Sequence, residues 1–371
     1  MLAQFRLEAF FAEWEFKARY HLTASDAETM SVAELLTFAD AADRARWETL
    51  RLGYIDTRGT SELRDAVANT YERVSADDIL CFAGAEEGMY CAMRGLLEPG
   101  DHAIVLVPNY QSMESIPRAT CDVTGVSLHA EAGWKLDIED VRRALRPNTK
   151  MVAVNFPNNP TGAISSREAF AQLVELCAQR GIYLFSDEVY RGVERDADRR
   201  LPQAADLYDR ALSLNVVSKA YGLPGLRVGW IASRDSDALN RMAELKHYLS
   251  ICNSAPSEVL ATIAVKAQAR IFERTRALVT ENLAKLGAFF ARHADRFEWY
   301  EPDGGCVAFP RYTGPEGAQT FCRALLEREG VLLLPASLYQ SDLLAVAHDR
   351  FRIGFGRKGI DEALAAFERF L

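Results

Sequence analysis

The chain lacks several features that would narrow its class at once. No run approaches the ~18 consecutive apolar residues that a membrane-crossing helix needs. No two of its seven cysteines (81, 91, 121, 177, 252, 306 and 322) form a C-x-x-C pair, and the number is odd. That fits free thiols in a reducing cytoplasm better than a disulfide frame or a zinc site. The six histidines show no H-x-x-x-H spacing, which leaves metal catalysis without support. No long basic run exists and the formal charge is -9, a poor match for nucleic acid or an anionic membrane surface. Small molecules are the expected partners. A signal peptide is not expected either, because Glu8, Glu13 and Glu15 interrupt the aromatic N-terminal stretch. Internal repeats, low-complexity tracts and a Gly/Pro/Ser-rich linker are also missing.

The 371 residues, 49% of them hydrophobic, can bury a large core. Phe5, Ala9, Phe10 and Trp14 recur at helical spacing and predict an amphipathic helix over 5–19. Helical patterns at 61–74, 86–98, 137–145, 166–180 and 237–250 then alternate with β-rich runs such as "HAIVLVP", "KMVAVNFP", "IYLFSDEV", "ALSLNVVS" and "RVGWIAS". Nearly all-apolar strands between helices indicate a doubly wound, mostly parallel sheet covered on both faces, an α/β fold. From about residue 270 a long helical pattern leads into the short strands "FEWYE", "CVAFPR", "VLLLP" and "FRIGF", with helices between and after them. The expected division is a large domain over 30–268 and a smaller α+β domain over 1–29 and 269–371.

Ligands of open parallel sheets sit beyond the carboxyl ends of the strands. Lysine 219 ends "NVVSK", Asp187 and Tyr190 end "IYLFSDEVY", Asn159 follows "VAVNFPN", and Tyr110 follows "IVLVPNY". "FAGAEEG" passes from a strand into a helix near Ala85, whose first N–H groups and dipole suit a phosphate. An amine, a carboxylate, an amide, a phenol and an anion cradle, all at strand ends, make up the set that a pyridoxal phosphate site requires. Lys219 would hold the aldehyde as a Schiff base, and Asp187 would keep the pyridine nitrogen protonated. Asn159 and Tyr190 would donate to the ring oxygen, and Tyr110 would stack on the ring. The phosphate would take the Ala85 and Glu86 N–H groups together with Arg227. A free lysine has a pKa of ~10.4, so a neutral amine at pH 7 costs roughly 4–5 kcal/mol unless its surroundings intervene. Desolvation and Arg227 are expected to supply that shift.

Seven collinear stretches, "LGYIDTRGTSELR", "GAEEG", "PNYQS", "NFPNNPTG", "SDEVY", "SKAYGLPGLRVGW" and "FRIGFGR", make the chain resemble the class I/II aminotransferases of pyridoxal phosphate fold type I over nearly its whole length. The resemblance implies transfer of an amino group between an amino acid and a 2-oxo acid, with a catalytic set of Lys219, Asp187 and Tyr190. Lys219 would form the internal aldimine and then move the proton. Ser218 joins the implied cofactor contacts. Arg352 would clamp the substrate carboxylate with Asn159 beside it, and Tyr54 would reach the cofactor phosphate of a partner subunit, which implies a homodimer with shared active sites.

Three positions depart from the family pattern. Val216 stands where many relatives carry a hydroxyl that binds phosphate. Glu86 and Glu87 crowd the phosphate turn with negative charge that must point away or merely complement the helix dipole, and the Glu86 backbone is expected to bind with its side chain solvated. "YHLTASDAET" at 20–29 replaces a glycine-bearing segment that lines the substrate pocket. That segment, with "SKAYGLPGLRVGW" and "FPRYT", is similar to the capreomycidine synthase-like branch, which implies a second chemistry: β-elimination, replacement or cyclisation on a β-substituted amino acid. A third reading, a cofactor-binding regulator without turnover, fits poorly with the acidic charge. "GFGRKG" at 354–359 matches G-x-G-x-x-G, yet lacks the acidic residue ~20 positions on that a dinucleotide site expects.

Overall fold

The structure, a computed structural model, describes residues 2–371. A two-residue strand, β1 (Tyr20–His21), precedes seven strands that form one sheet: β2 (Ile79–Phe82), β3 (His102–Val107), β4 (Asp122–Ser127), β5 (Thr149–Asn155), β6 (Tyr183–Asp187), β7 (Ala211–Val216) and β8 (Gly229–Ala232). Their order is β2-β8-β7-β6-β5-β3-β4. Only β8 runs against the others, pairing antiparallel with both β2 and β7. Every residue of β3 and β7 is buried, as an apolar run without alternation predicts. Alternate residues still serve different faces. Ile104, Val152, Val154 and Leu184 pack into one core layer, while Val105, Met151, Ala153, Phe185 and Leu214 pack into the other.

After the 25-residue helix Gln268–Arg292 come β9 (Phe297–Glu298), β10 (Val307–Ala308), β11 (Arg311–Tyr312), β12 (Val331–Leu332), β13 (Leu334–Pro335) and β14 (Phe351–Gly354). Strand β14 lies between β10 and β13, and β1 pairs in parallel with β12. Phe289, Phe290, Phe297, Phe321, Phe351 and Phe367 form the aromatic centre of this region. Each such ring contributes roughly 1.5–3 kcal/mol by leaving water.

Some element boundaries differ from the sequence reading. The N-terminal helix spans Arg6–Trp14 rather than 5–19, because the His21 ring takes the Glu15 carbonyl that a longer helix would have used. The helix expected over 61–74 stops at Ala68, and that over 237–250 stops at Lys246. "FEWYE" contributes only two strand residues. Helices Ala41–Glu48, Ser112–Arg118 and Ala255–Lys266 were not expected at all.

The N-terminal segment 22–28 lies against β14 and the turn after it. Gly354 N–H donates to the Leu22 carbonyl at 2.9 Å, and Glu28 N–H to the Gly356 carbonyl at 2.8 Å. A Cβ at Gly354 would stand 2.1 Å from the Ala24 carbonyl oxygen, and one at Gly356 2.2 Å from that of Asp26. Close backbone approach therefore accounts for the glycine spacing that mimics a dinucleotide motif. Gly356→Ala is expected to cost about 1–3 kcal/mol by overpacking. In Gly225→Ala the new methyl meets nothing within 4 Å, and the change is expected to stay within about 0.5 kcal/mol. Urea unfolding midpoints of the two variants check the contrast.

Candidate active site

The carboxyl ends of β5, β6 and β7 open into a cleft of about 730 Å³. Strand register does the first part of the positioning. Asn155, last in β5, lies opposite Asp187, last in β6, and Asp187 lies opposite Leu214 of β7. Asn155 Nδ2 donates to the Asp187 carbonyl at 3.1 Å, while its Oδ1 accepts the Asn159 N–H at 2.7 Å. The Asn-Pro-Thr-Gly turn is thereby pinned over the strand end, with the Thr161 hydroxyl donating to Asn158 Oδ1 at 2.8 Å.

Lys219 follows β7 by three residues, and its amine donates to Ser25 Oγ at 2.8 Å. Burial pulls the amine below its ordinary pKa, opposed by Asp26, aided by the Arg352 guanidinium, and opposed again by Asp187. Arg352, and not Arg227 as the sequence suggested, is the cation that helps depress it. The reason is topological: because β8 is antiparallel, its first residues return to the edge where β2 ends, which carries Arg227 to the start of the helix Ala85–Leu96. A Cβ on Gly84 would stand 2.5 Å from Arg227 Nη2, and one on Gly229 would stand 3.0 Å from the Ala85 nitrogen. Arg227 itself adopts φ 51°, a left-handed conformation that costs an L-residue roughly 1–2 kcal/mol.

Asp187 is buried, and its side chain accepts one hydrogen bond, from the Val189 N–H at 3.2 Å. Burial pushes its carboxyl up to about 7, against the pull of that bond and of Lys219. Three other buried polar atoms at the cleft have no partner: the Tyr190 hydroxyl, the Ser218 hydroxyl and Arg352 Nε. Unsatisfied donors are rare inside a native protein, and several converging on one cavity mark a ligand site. Arg352 is 1% exposed; its Nη1 donates to Asn159 Oδ1 at 3.1 Å and its Nη2 to the Thr23 carbonyl at 2.6 Å. The Asn159 amide nitrogen is left to serve as a donor. Tyr110 faces the cleft with its hydroxyl on Glu8 Oε1 at 2.7 Å and its ring 5.0 Å from that of Phe5.

Tyr54, expected to reach the cofactor of a partner subunit, is 92% exposed and does not line this chain's own cleft. The Glu86 side chain is exposed, but to the cleft and not to outer solvent; it accepts from the Ser112 hydroxyl at 3.0 Å, and the enclosing walls push it up to about 7. Helical geometry explains the correction, since the first turn that presents the Glu86 N–H also turns its side chain along the same wall. Glu87 does point away, accepting the Ala83 and Ser250 N–H groups.

Sequence reasoning missed Glu8, Thr23, Ser25, Asp26 and Arg357, all of which line the cleft. Asp26 and Arg357 form a two-bond ion pair at 2.8 and 3.1 Å. The usable signal was the glycine pair of "FRIGFGR", which marks where 22–28 must touch down.

The donor set fits pyridoxal phosphate. A helix N-terminus beside Arg227 suits the phosphate, a deeply buried carboxyl that lacks a cationic hydrogen-bond partner suits a ring N–H, and the unpartnered Tyr190 hydroxyl suits a ring oxygen. Comparison with known proteins points the same way. A family model described as "Aminotransferase class I and II" matches residues 22–367. A capreomycidine synthase of Streptomyces vinaceus is 31% identical, covering 98% of this chain and 93% of its own length. An aspartate aminotransferase of Thermotoga maritima is 30% identical over 86% of this chain and 83% of the relative. The crystal structure of a PLP-dependent aminotransferase from Streptococcus suis superposes with a TM-score of 0.92 at 29% identity, covering 100% of this chain and 98% of that one.

The raised Asp187 pKa has a signed consequence for stability. Below about pH 4 the carboxyl is protonated in both folded and unfolded chains and contributes nothing. Between that value and about 7 the unfolded chain sheds the proton while the folded one keeps it, so stability falls as pH rises. Above about 7 the full penalty applies. Cofactor-free Asp187→Asn is therefore expected to unfold at higher urea than cofactor-free wild type at pH 8, with the gain vanishing toward pH 4. A gain of equal size at both pH values would assign the effect to packing.

Proposed function

The chain belongs to aminotransferase class I and II and is a pyridoxal-phosphate-dependent enzyme of amino-group transfer; from that premise we propose that it moves an amino group between an amino acid and a 2-oxo acid with Lys219 as its central residue. The observation that carries this reading is the meeting, in one cleft, of the enclosed Lys219 amine, the buried Asp187 carboxyl and three buried polar atoms without partners. When bound, the cofactor supplies an electron sink for negative charge at the substrate Cα. Lys219 would hold the aldehyde and serve as the base for the Cα proton, since burial disfavours its charged form. Asp187 would accept from the ring nitrogen. Tyr190 and the Asn159 amide would donate to the ring oxygen, and Tyr110 would cover the ring face. The Ala85 and Glu86 N–H groups, Ser218 and Arg227 would hold the phosphate. Arg352, already fixed by Asn159 and Thr23, receives the substrate carboxylate through its remaining N–H groups.

The proposal extends to a homodimer. Leu52, Tyr54, Tyr248, Leu249 and Ile251 are exposed, and Lys246 ties their two segments by donating to the Thr57 carbonyl at 2.6 Å. Clustered exposed apolar side chains favour an interface, across which Tyr54 would reach the partner's phosphate. The division into 30–268 and 1–29 with 269–371 is supported by the pairing of β1 with β12. A cytoplasmic setting is in keeping with seven free cysteines. None of the described helices is long and apolar enough to cross a membrane.

A second reading, β-elimination or replacement with ring closure, is favoured by the relative named capreomycidine synthase, which matches 98% of the chain. Both chemistries begin with the same proton abstraction. An amino acid that bleaches the visible cofactor band, restored by a 2-oxo acid, supports transfer; release of ammonia without any acceptor supports elimination. In either case Lys219→Ala is expected to lose that band and at least ~10³-fold in turnover. Borohydride is expected to fix the cofactor to the Lys219 peptide in wild type alone. Arg352→Lys is expected to raise KM about 10- to 100-fold, since a point charge replaces a bidentate fork.

A further inference from the structure

Among the described residues the Lys219 amine has one hydrogen-bond partner, the Ser25 hydroxyl at 2.8 Å, and no carboxylate stands within 4.0 Å of it. The segment that carries this partner also grips the lysine from behind. Ala27 N–H donates to the Lys219 carbonyl at 3.1 Å, so positions 25 and 27 hold the amine and the backbone of one residue together. The approach is close: a Cβ at Gly222, three residues past the lysine, would stand 2.5 Å from the Glu28 carbonyl oxygen. The chain is fixed on either side of Ser25 as well. The Thr23 carbonyl accepts from Arg352 Nη2 at 2.6 Å, and both carboxylate oxygens of Asp26 are taken by Arg357. Ser25 lines the cleft within the stretch 20–29 that departs from the class I/II pattern, so that pattern does not supply this contact.

The chemistry of a hydroxyl suits the place. A base that collects a proton from carbon needs a free lone pair aimed at that carbon. A carboxylate partner would keep the amine charged and leave no lone pair. A hydroxyl accepts one N–H, carries no charge, and makes the same contact to a neutral amine and to an ammonium. Asp26, adjacent in sequence, is turned away to Arg357, and the uncharged neighbour faces the amine instead.

Resting on the reading of the cleft as a pyridoxal phosphate site with Lys219 as its base, we propose that Ser25 is a further catalytic residue, whose hydroxyl aims the freed Lys219 amine without setting its proton. Once the aldehyde has passed to the substrate, Ser25 holds one N–H of the amine and leaves the lone pair facing Cα. The Cα–H bond then breaks, a new N–H bond forms on Lys219, and the electron pair left on carbon passes into the cofactor ring. Ser25 keeps its own proton throughout.

The test compares wild type, Ser25→Ala and Ser25→Asp. In the holoenzyme, the common amino acid that bleaches the visible cofactor band fastest is used in ordinary and Cα-deuterated forms. Ser25→Ala is expected to slow that bleaching about 10- to 100-fold through misplacement of the amine, with Kd unchanged and an isotope effect at least as large as in wild type. Ser25→Asp is expected to be slower still at pH 7, although it restores a hydrogen-bond partner. A second readout needs no substrate: the rate at which cofactor-free protein takes up pyridoxal phosphate, followed against pH, since only the neutral amine attacks the aldehyde. Asp26, Arg352, Asp187 and Cys306 also act on the amine and remain in both variants. Ser25→Asp is expected to move the midpoint of that profile up by about 1–3 units, and Ser25→Ala to leave it in place. An unchanged bleaching rate in Ser25→Ala, a loss confined to Kd, a slowed rate without an isotope effect, or equal midpoints in Ser25→Asp and wild type would overturn the proposal. Failure of the underlying reading looks different: no visible band forms in wild type, and borohydride fixes nothing to the Lys219 peptide.

Discussion

One constraint organises the molecule: the Lys219 amine must be enclosed without being neutralised by a permanent ion pair. Burial alone would make the amine a poor resident of the core, and a close carboxylate would fix its proton. The structure lies between these limits. Ser25 provides an uncharged partner at 2.8 Å, Asp26 is occupied by Arg357, and Arg352 contributes opposing positive charge. These neighbours come from two distant parts of the chain, 25–26 and 352–357. The 22–28 segment, β14 with the turn after it, and the strand ends of the large sheet must all be in place before the lysine has its environment.

The single antiparallel strand in the large sheet is the second determinant. Had β8 run with its neighbours, its first residues would lie at the opposite edge, and Arg227 would be far from the helix that begins at Ala85. Reversal places a cation and a ring of N–H groups side by side without any long loop. Gly84 and Gly229 keep that corner open, each leaving room that a side chain would fill.

Much of this was legible from residue order. Lys219, Asp187 and Asn159 each follow a largely apolar run, and in a parallel sheet such positions converge whatever the details of packing. The helix start at Ala85 was legible because Gly84 and the acidic first turn announce it. Other features left no local trace. The helix Ala255–Lys266 is buried almost all round, so it has no polar stripe to set against an apolar one, and Ser112–Arg118 contains Pro117, which ordinarily reads as a break. Ser25 and Asp26 reach the lysine only because 22–28 is laid across Gly354 and Gly356, more than 300 positions away, and no periodicity encodes that contact. Glu8 was illegible as a cleft residue for the same reason: it reads as an ordinary solvated face of an amphipathic helix until it is seen to line the cleft.

The touchdown of 22–28 on Gly354 and Gly356 closes a loop of more than 300 residues, and so distant a closure is entropically costly. Ser25 and Asp26 keep their places beside Lys219 only while it holds. A local loosening at either end would undo the pocket and leave the large sheet standing.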